Sequence, residues 1–391
     1  MQIVEMINKA KENCSGCQAC ANSCSKDAIT MKRDSEGFSY PVIDAERCVQ
    51  CGVCDRACPV LHLEADVGEK EPEAWAFMHG DDRIRQESSS GGIFSVLAQM
   101  VLDKGGIVFG AAFDENWQVV HIGVEDETGL ARLRSSKYVQ SDIGKTYRQA
   151  KEALNSGRSV LFSGTPCQIE GLHRFLGKLY PNLWLVDLIC HGAPSPLVWE
   201  KYVQLCQQKG KILGISFRSK NLSWERYLLE IVYANSSKYQ MPLDKDLYMQ
   251  GFLQDLYLRP SCYNCQFKKK HRVSDITIAD FWGIDQVLPE MNDHRGTSLV
   301  IVHSQQAKRL MAEIDDGKKI IVSFEEGICW NLAMVCSVKM NSKRERFFRE
   351  IKKENIALDV LLHKYITPFW YKKLCGKTRR LVGGIKRKMM K

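Results

Sequence analysis

The 391-residue sequence lacks the features that mark secreted and membrane-spanning proteins. No apolar run approaches the ~20 residues that a helix needs to cross a bilayer. Residues 1–6 show neither the charged region nor the apolar core of a secretory signal. We therefore expect a cytoplasmic protein, in which abundant cysteine indicates metal binding rather than disulfides. The length predicts two or three domains with a sizeable core.

Two further absences exclude common binding modes. There is no G-x-G-x-x-G, so the dinucleotide-binding turn of a Rossmann domain is not available. No nucleic-acid motif accompanies the net charge of +9, and we predict no nucleic-acid partner. The basic residues concentrate in 365–391, which contains no acid. Such a tail predicts either a solvated end or peripheral contact with the inner face of a membrane.

Cysteine is abundant, and half of the sixteen cysteines fall into two runs near the N-terminus. Both runs have the spacing C-x2-C-x2-C-x3-C, and their members are Cys14, Cys17, Cys20 and Cys24, then Cys48, Cys51, Cys54 and Cys58. This spacing is the ligand pattern of bacterial proteins that carry two 4Fe–4S clusters. Zinc is the alternative, because C-x2-C pairs also form zinc sites. Zinc takes four ligands, however, and has no use for three cysteines in register plus a fourth, repeated twice; a disulfide framework is the other alternative.

Residues 1–62 resemble a bacterial two-cluster ferredoxin domain. In that family the fourth cysteine of each run binds the other cluster. The resemblance therefore implies one cluster on set A, which is Cys14, Cys17, Cys20 and Cys58, and one on set B, which is Cys24, Cys48, Cys51 and Cys54. Ser25 departs from the family, which usually has proline after the fourth cysteine, but no ligand is lost.

The sequence after the ferredoxin-like unit predicts a second, larger domain. Polar residues 63–73 indicate a linker, and strand-like and helical segments alternate from 74 to 340. The predicted fold class is α+β: a ferredoxin-like 2×(4Fe–4S) domain followed by a larger α/β domain. We also predict a strand over 320–324. Residues 341–391 are predicted to hold a long charged helix, near 342–364, and the basic tail.

Four cysteines of the larger domain stand on predicted loops, and we call them set C: Cys167, Cys190, Cys262 and Cys265. The first two follow predicted strands, and the last two form a C-x2-C pair, so all four can converge on one metal. The residues alone leave zinc and iron–sulfur open; the neighbouring ferredoxin-like unit favours a third 4Fe–4S cluster, which would continue an electron path. The remaining cysteines are predicted to act as small apolar residues in cores: Cys206, Cys329, Cys336 and Cys375.

Several motifs occur together with these cysteines in a fixed order. They are Ser89-Ser90-Gly91-Gly92, Ser136-Lys137-Tyr138-Val139-Gln140-Ser141, Gly164-Thr165-Pro166-Cys167-Gln168, Cys190-His191-Gly192 and the stretch 262–283. With the ferredoxin unit, this order resembles the family of coenzyme F420 hydrogenase/dehydrogenase beta subunits, over residues 10–340. The resemblance implies a flavoprotein with FAD and a third 4Fe–4S cluster on set C.

Two loops suit the phosphates of such a cofactor. Residues 88–93 open a helix and 163–165 follow a strand, so both offer unpaired amides. With the resemblance, the predicted FAD contacts are Ser89, Ser90, Gly91, Gly92, Lys137, Tyr138, Gln140, Ser163, Gly164 and Thr165. The alternatives are that Ser89 caps its helix, that Gly164 serves a turn and that 137–140 is an ordinary strand. The basic run 268–272 predicts either a solvated face or binding of an acidic group.

These inferences together predict an iron–sulfur flavoprotein oxidoreductase. Its clusters would exchange single electrons with FAD, and FAD would exchange a hydride with a deazaflavin such as F420 or another organic acceptor. His191 is the candidate for proton delivery. The expected partners are a redox protein, such as ferredoxin or another oxidoreductase subunit, and a small-molecule electron acceptor. The alternatives are an electron-transfer subunit without a substrate of its own and a zinc-stabilised, non-redox binding module.

Overall fold

The computed structural model describes residues 2–63, 66, 71–353 and 356–367. Its strands are β1 (Ile29–Arg33), β2 (Ser39–Ile43), β3 (Glu73–His79), β4 (Ile107–Phe113), β5 (Val119–Val124), β6 (Val160–Gly164), β7 (Leu183–Leu188), β8 (Ile212–Ser219), β9 (Leu228–Tyr233), β10 (Lys238–Pro242), β11 (Ile276–Asp280), β12 (Ser298–Val302) and β13 (Gly317–Val322). Its α-helices are α1 (Gln2–Lys9), α2 (Ala19–Ser23), α3 (Val53–Arg56), α4 (Asp82–Glu87), α5 (Ile93–Leu102), α6 (Glu127–Leu133), α7 (Thr146–Asn155), α8 (Pro166–Leu176), α9 (Pro196–Gln207), α10 (Leu247–Leu253), α11 (Ile284–Val287), α12 (Gln305–Glu313), α13 (Phe324–Ile328), α14 (Arg344–Ile351) and α15 (Leu358–Tyr365).

The N-terminal unit is built from one hairpin and two short helices. Strands β1 and β2 pair antiparallel, with Ile29 opposite Ile43. Each cysteine run turns into a short helix, α2 or α3, after a residue in the left-handed region: Gln18 (φ 63°) in the first run and Gly52 (φ 69°) in the second. The same spacing therefore produces the same local turn twice. A side chain at such a φ is uncommon, and Gln18 is held there by a 2.7 Å hydrogen bond from its Nε2 to Asp142 Oδ1.

The larger domain is organised around an eight-stranded mixed sheet with the order β13-β3-β12-β11-β7-β6-β4-β5. The four central strands β11, β7, β6 and β4 run parallel, so their carboxyl ends lie at one edge. Open sheets of this kind bind ligands beyond that edge. Set C begins there, because Cys167 comes three residues after β6 and Cys190 two residues after β7.

A second sheet, β10-β9-β8, is antiparallel and carries a separate aromatic core. Trp199, Phe217, Tyr248 and Tyr257 are fully buried there, with ring centroids 4.8 Å apart for the closest pair, Trp199 and Phe217. Helices α9, α10, α14 and α15 supply the other apolar residues of this core.

The two domains are in close contact. Gly37 of the ferredoxin-like unit lies against Leu197 of α9, where a Cβ would meet the Leu197 backbone nitrogen at 2.5 Å. Arg148 of α7 donates to the carbonyls of Asn22 and Cys24 at 2.8 and 2.7 Å. Buried Arg344 forms an ion pair with Glu36. These contacts hold the ferredoxin-like unit against the larger domain.

The mixed helix-and-sheet fold confirms the predicted class, and a helix begins at Ile93, directly after the loop that was predicted to open one. The strand predicted over 320–324 is wrong at its end, because Ser323 caps α13 with its side chain and ends the strand at Val322. The long helix predicted near 342–364 is also wrong: α14 and α15 are separate helices. Helix α8 and strand β10 were not predicted.

Three of the four cysteines predicted to fill cores lie within the described residues. Cys206 is buried, which confirms that prediction, whereas Cys329 and Cys336 are exposed and contradict it. Cys375 and the basic residues from 372 onward lie outside the described residues, as do 64, 65 and 67–70 of the predicted linker. No helix in the described ranges is long and apolar enough to cross a membrane.

Candidate cofactor cavity and cluster sites

Each of the two cysteine sets implied for the N-terminal unit surrounds its own small cavity. One cavity is lined by all four members of set A: Cys14, Cys17, Cys20 and Cys58. The other is lined by all four members of set B: Cys24, Cys48, Cys51 and Cys54. The fold thus brings the fourth cysteine of each run to the three leading cysteines of the other.

The four members of set C line a third and larger cavity, of about 630 Å³. This volume is within the range of ordinary ligand sites. Cys167 lies in the first turn of α8, where Thr165 and Gln168 form a capping box: the Thr165 backbone N–H donates to Gln168 Oε1 at 2.9 Å. Cys262 accepts a hydrogen bond from the Ala193 backbone N–H, with 3.3 Å between nitrogen and sulfur. Both sulfurs are therefore held by local structure.

The burial of these thiols fits a bound cation. Burial, followed by neighbouring Cys265 and Cys262, raises the pKa of Cys167 to about 12. Burial likewise raises the pKa of Cys262 to about 11 and that of Cys190 well above its ordinary value. Set A shows the same effect, because burial and then Cys58 raise the pKa of Cys17. Clustered buried thiols resist ionisation unless a metal binds them as thiolates.

Each cysteine set offers four sulfurs at one cavity. Within the described ranges, no group of three or more His, Cys, Asp or Glu side chains is close enough to hold a single metal ion. Thiolates around a four-iron cluster stand farther apart than those around one tetrahedral ion. Sets A, B and C are gathered at three cavities, and the donor atoms at each are the four sulfurs that a 4Fe–4S cluster takes.

Nine of the ten predicted FAD contacts line the cavity of set C, and Gly91 is the exception. A Cβ on Gly91 would collide with the Phe77 carbonyl oxygen, so this glycine lets the loop pack against β3. Gly92, at φ 93°, begins α5. Ser89 does not cap that helix, because its hydroxyl accepts the Ser136 backbone N–H at 2.8 Å. The loop is therefore tied to the segment that carries Lys137.

The segment 137–140 is not a strand, and its side chains have protein partners. Lys137 Nζ donates to the carbonyls of Arg132 and Arg134, both at 2.8 Å, and so closes the end of α6. The Tyr138 ring stacks on Phe252. Gln140 bridges the two domains, because its Nε2 donates to the Ser15 carbonyl at 3.0 Å. These residues shape the wall of the cavity.

The second predicted phosphate loop, residues 163–165, also forms part of this wall. Ser163 Oγ donates to the Phe109 carbonyl at 3.1 Å, which anchors the end of β6 to β4. Thr165 Oγ1 lies 3.2 Å from the sulfur of Cys167. A hydroxyl has one donor and two acceptor positions, so both side chains retain hydrogen-bonding capacity.

His191 lines the same cavity directly after Cys190. Its Nε2 is 2.7 Å from Asp255 Oδ1, and the edge of its ring meets Phe252. The Lys268 ammonium donates to its backbone carbonyl at 3.3 Å. The histidine is therefore held in one orientation at the cavity wall, with a carboxylate on one ring nitrogen.

Sequence analysis missed a buried arginine in the cavity wall. Arg218 donates to Asp280 Oδ1 at 2.6 Å and to the Ser89 carbonyl at 2.9 Å, and its guanidinium lies 3.8 Å from the Tyr227 ring centroid. Burial opposes its charge, but Asp280, Tyr138 and Tyr227 together outweigh burial and raise the pKa of Arg218. The arginine lies within β8, and no local sequence motif identifies its partner Asp280, which is 62 residues away.

The basic run 268–272 is not a free positive face. Lys268 donates to the Cys336 carbonyl at 2.8 Å, and Lys270 pairs with Glu71. Arg272 forms a buried ion pair with Asp187, at 3.1 Å. Acidic and carbonyl partners from distant segments thus bind most of the run, and these contacts hold the loop that follows the C-x2-C pair.

Comparison with known families agrees with this geometry. Residues 13–61 match the 4Fe-4S dicluster domain, and residues 157–326 match the C-terminal domain of the coenzyme F420 hydrogenase/dehydrogenase beta subunit. The chain joins a 4Fe–4S dicluster domain to a domain of the family of coenzyme F420 hydrogenase/dehydrogenase beta subunits. All twelve cysteines of sets A, B and C fall within these two matched regions.

Two curated relatives are oxidoreductases. A subunit of the F(420)H(2) dehydrogenase of Methanosarcina mazei is 24% identical over 204 residues, which are 48% of this chain and 56% of the relative. The coenzyme F420-dependent sulfite reductase of Methanocaldococcus jannaschii is 22% identical over 386 residues, which are 95% of this chain and 54% of the relative. The chain thus spans about half the length of both relatives.

One solved structure is also similar to the chain, at lower sequence identity than the two relatives. A chain of the xenon-derivatized F420-reducing NiFe hydrogenase complex from Methanosarcina barkeri aligns with a TM-score of 0.45 and 16% identity. The alignment covers 69% of this chain and 89% of that chain.

Proposed function

We propose that the protein is an iron–sulfur flavoprotein oxidoreductase in which sets A, B and C each hold a 4Fe–4S cluster and the cavity of set C also holds FAD. When bound, the clusters would supply one-electron transfer, and FAD would couple pairs of electrons to hydride exchange with an F420-like deazaflavin or another organic acceptor. The observation that carries the proposal is the convergence of set C and the Ser/Gly loops on one cavity beside set A.

The adjacency of sets A and C supports an electron path between the domains. Cys167 of set C adds to the rise in the pKa of Cys17 of set A, after the larger effects of burial and Cys58. Tyr147, whose hydroxyl donates to the Gln168 carbonyl at 2.6 Å, is near members of both sets. Set B is more exposed than set A, because its Cys51 is exposed whereas all four cysteines of set A are buried. The proposed electron path therefore runs from set B through set A to the cavity.

The chain's own residues account for binding and orientation at the cavity. The backbone at Gly92 and Thr165 can approach a ligand phosphate, while Arg218, paired with Asp280, holds the Ser89 carbonyl in the wall. His191, oriented by Asp255, is the residue that we assign to holding or releasing a proton. Asp255 fixes which ring nitrogen faces the cavity, as in other oriented histidines.

A second candidate is an electron-transfer subunit that has no substrate of its own. It is favoured by the relative named as a subunit of an F(420)H(2) dehydrogenase and by the open surroundings of set B, which suit exchange with another redox protein. A partner subunit or ferredoxin would then deliver or receive the electrons. Co-purification from the native host separates this candidate from a self-contained enzyme.

The test is the content of iron, acid-labile sulfide, zinc and flavin per chain, on protein purified without oxygen. We expect about twelve irons, since each four-cysteine set takes a four-iron cluster, together with one FAD. About eight irons without flavin would contradict the assignment of a cluster and FAD to the cavity of set C. Only the two clusters of the N-terminal unit would then be supported. Stoichiometric zinc in place of iron would contradict the redox function.

A further inference from the structure

Arg259 is a buried cation at the contact between the two domains. Its side chain is 1% exposed. Nε donates to the Cys14 carbonyl at 2.7 Å, Nη1 to Gln140 Oε1 at 3.0 Å and Nη2 to the Ser39 carbonyl at 3.1 Å. All three acceptors are uncharged, so these hydrogen bonds orient the guanidinium without neutralising it.

Other buried arginines of this protein are neutralised. Each of them forms an ion pair with a carboxylate: Arg85 with Asp293, Arg134 with Glu87, Arg218 with Asp280, Arg272 with Asp187 and Arg344 with Glu36. In the part of the chain that the structure describes, no carboxylate forms an ion pair with Arg259. A buried, unpaired charge is costly, so this position calls for a negative group of another kind.

On one side the guanidinium lies against the loop of set A. A Cβ placed on Gly16, between Cys14 and Cys17, would be 2.7 Å from Arg259 Nη1. The backbone at Gly16 has φ 71°, which glycine adopts without strain. Glycine at this position therefore lets the cation approach the cysteine loop closely.

On its other side Arg259 belongs to the loop of set C. The backbone N–H of Cys262 donates to the Arg259 carbonyl at 2.9 Å, at the start of the C-x2-C pair. The Arg259 carbonyl thus fixes the start of the loop that carries Cys262 and Cys265. One residue therefore contacts the ligand loops of both sets: its guanidinium lies at Cys14 and Gly16 of set A, and its carbonyl is bonded to Cys262 of set C.

We propose that Arg259 is an electrostatic positioning residue, the shared counter-charge of set A and set C, which favours the reduced state of both. The inference rests on the proposed function, because it requires clusters at both sets. Four thiolates outweigh the positive charge of a 4Fe–4S core, so a cluster with its ligands is an anion and gains a further negative charge when it takes up one electron. A nearby buried cation therefore stabilises the reduced form more, and net charge is an established determinant of cluster potential.

The test is a redox titration of the full chain with dithionite under anoxic conditions, followed by electron paramagnetic resonance of each reduced cluster. Cys265→Ser and Cys51→Ser assign the signals of sets C and B. In Arg259→Gln, which removes the charge, we expect the reduction equilibria of sets A and C to become about tenfold less favourable, or about 59 mV for a one-electron couple. Set B should shift less, because it is more exposed than set A.

Two matched variants separate charge from structure. Arg259→Lys keeps the charge but loses the three-way hydrogen bonding, and we expect its potentials to stay near those of the wild type. Arg33→Gln removes one positive charge from the exposed surface of the same unit and should leave all potentials unchanged.

The outcomes are distinguishable from failure of the proposed function. Absence of iron from the wild-type protein contradicts the function itself. Full iron in Arg259→Gln with unchanged potentials contradicts the role of Arg259, as does an equal shift in Arg33→Gln. If Arg259→Gln does not retain iron, the lysine variant decides: full iron with wild-type potentials supports the role of charge, whereas loss of iron there too contradicts it.

Discussion

Sets A and B have the same cysteine spacing but different surroundings. All four thiols of set A are buried, whereas in set B only Cys54 is buried and Cys51 is exposed. The difference comes from the larger domain, whose Gly171, Arg259 and Gln140 pack against the loop of set A. A repeated motif thus specifies the ligands, while a neighbouring domain specifies their environment. We infer that the cluster of set B exchanges electrons with a partner protein, and that the cluster of set A exchanges electrons with the cluster of set C.

The largest expected effect is the removal of one ligand from each set. Cys17→Ser and Cys51→Ser should each lose about four irons, because one cluster is lost. Only Cys17→Ser should also lower the thermal unfolding temperature, because it places a hydroxyl in a core, at a cost of about 1–3 kcal/mol if unpartnered. Iron analysis and anoxic thermal unfolding measure the two effects. Equal unfolding temperatures for the two variants would remove the distinction between buried and exposed sets.

Low pH should destabilise the buried region near set A, because it protonates His121. The ring of His121 stacks on Phe162, which contacts Tyr147 near set A. Burial lowers the pKa of His121 from 6.5 to about 4. The folded state then binds fewer protons than the unfolded state between these values. Stability is therefore greatest above pH 6.5 and falls by about 3 kcal/mol as the pH approaches 4.

His121→Gln tests this dependence while keeping a donor for the Ser163 carbonyl, which lies 3.0 Å from His121 Nε2. We expect a flatter decline of the unfolding temperature between pH 6.5 and 5 than in the wild type. The matched control is His363→Gln, at an exposed position on α15, which should leave the slope unchanged. If His121→Gln keeps the wild-type dependence of the unfolding temperature on pH, protonation of other groups causes the loss of stability.

Close packing between α8 and set A gives a smaller, steric prediction. A Cβ on Gly171 would stand 3.0 Å from the Cys17 sulfur and 3.2 Å from the Tyr147 hydroxyl. Gly171→Val should therefore overpack this contact and cost about 1–3 kcal/mol in unfolding free energy. Gly214→Val is the control, because the nearest atom to a Cβ there is 4.0 Å away. Denaturant unfolding of both variants measures the difference, and equal losses would show that set A is not tightly covered.

The sequence allowed prediction of local features of the site but not of its long-range partners. Ligand spacing and the start of α5 are encoded within a few residues, so sets A, B and C and the loop at 89–92 could be proposed. Helix α8 was missed although Thr165, Pro166 and Gln168 carry the signals of a capping box and an N-terminal proline. These signals are local, so the start of this helix was also predictable.

Other features depend on pairs that are far apart in the chain. Arg259 contacts Cys14 across 245 residues, and Arg218 meets Asp280 across 62. Neither arginine lies in a motif that identifies its partner. Gln140, one of the predicted FAD contacts, lines the cavity, and its amide group also contacts Ser15 and Arg259. Burial of set A could not be predicted, because it is a property of two domains in contact.

The smallest expected effect concerns the exposed ion pair between the domains. Arg33 Nη1 lies 3.2 Å from Glu200 Oε2, with the side chains 49% and 39% exposed. Solvent screens such pairs, so Arg33→Gln should lower the unfolding free energy by about 0–1 kcal/mol, and less at high salt. Denaturant unfolding at two salt concentrations, with Glu200→Gln and the double variant, isolates the pair energy. A coupling well above ~1 kcal/mol would mean that the exposed side also holds the ferredoxin-like unit in place. A small coupling would leave the buried contacts at Cys14, Gly37 and Gly171 as the ones that orient set A toward the cavity.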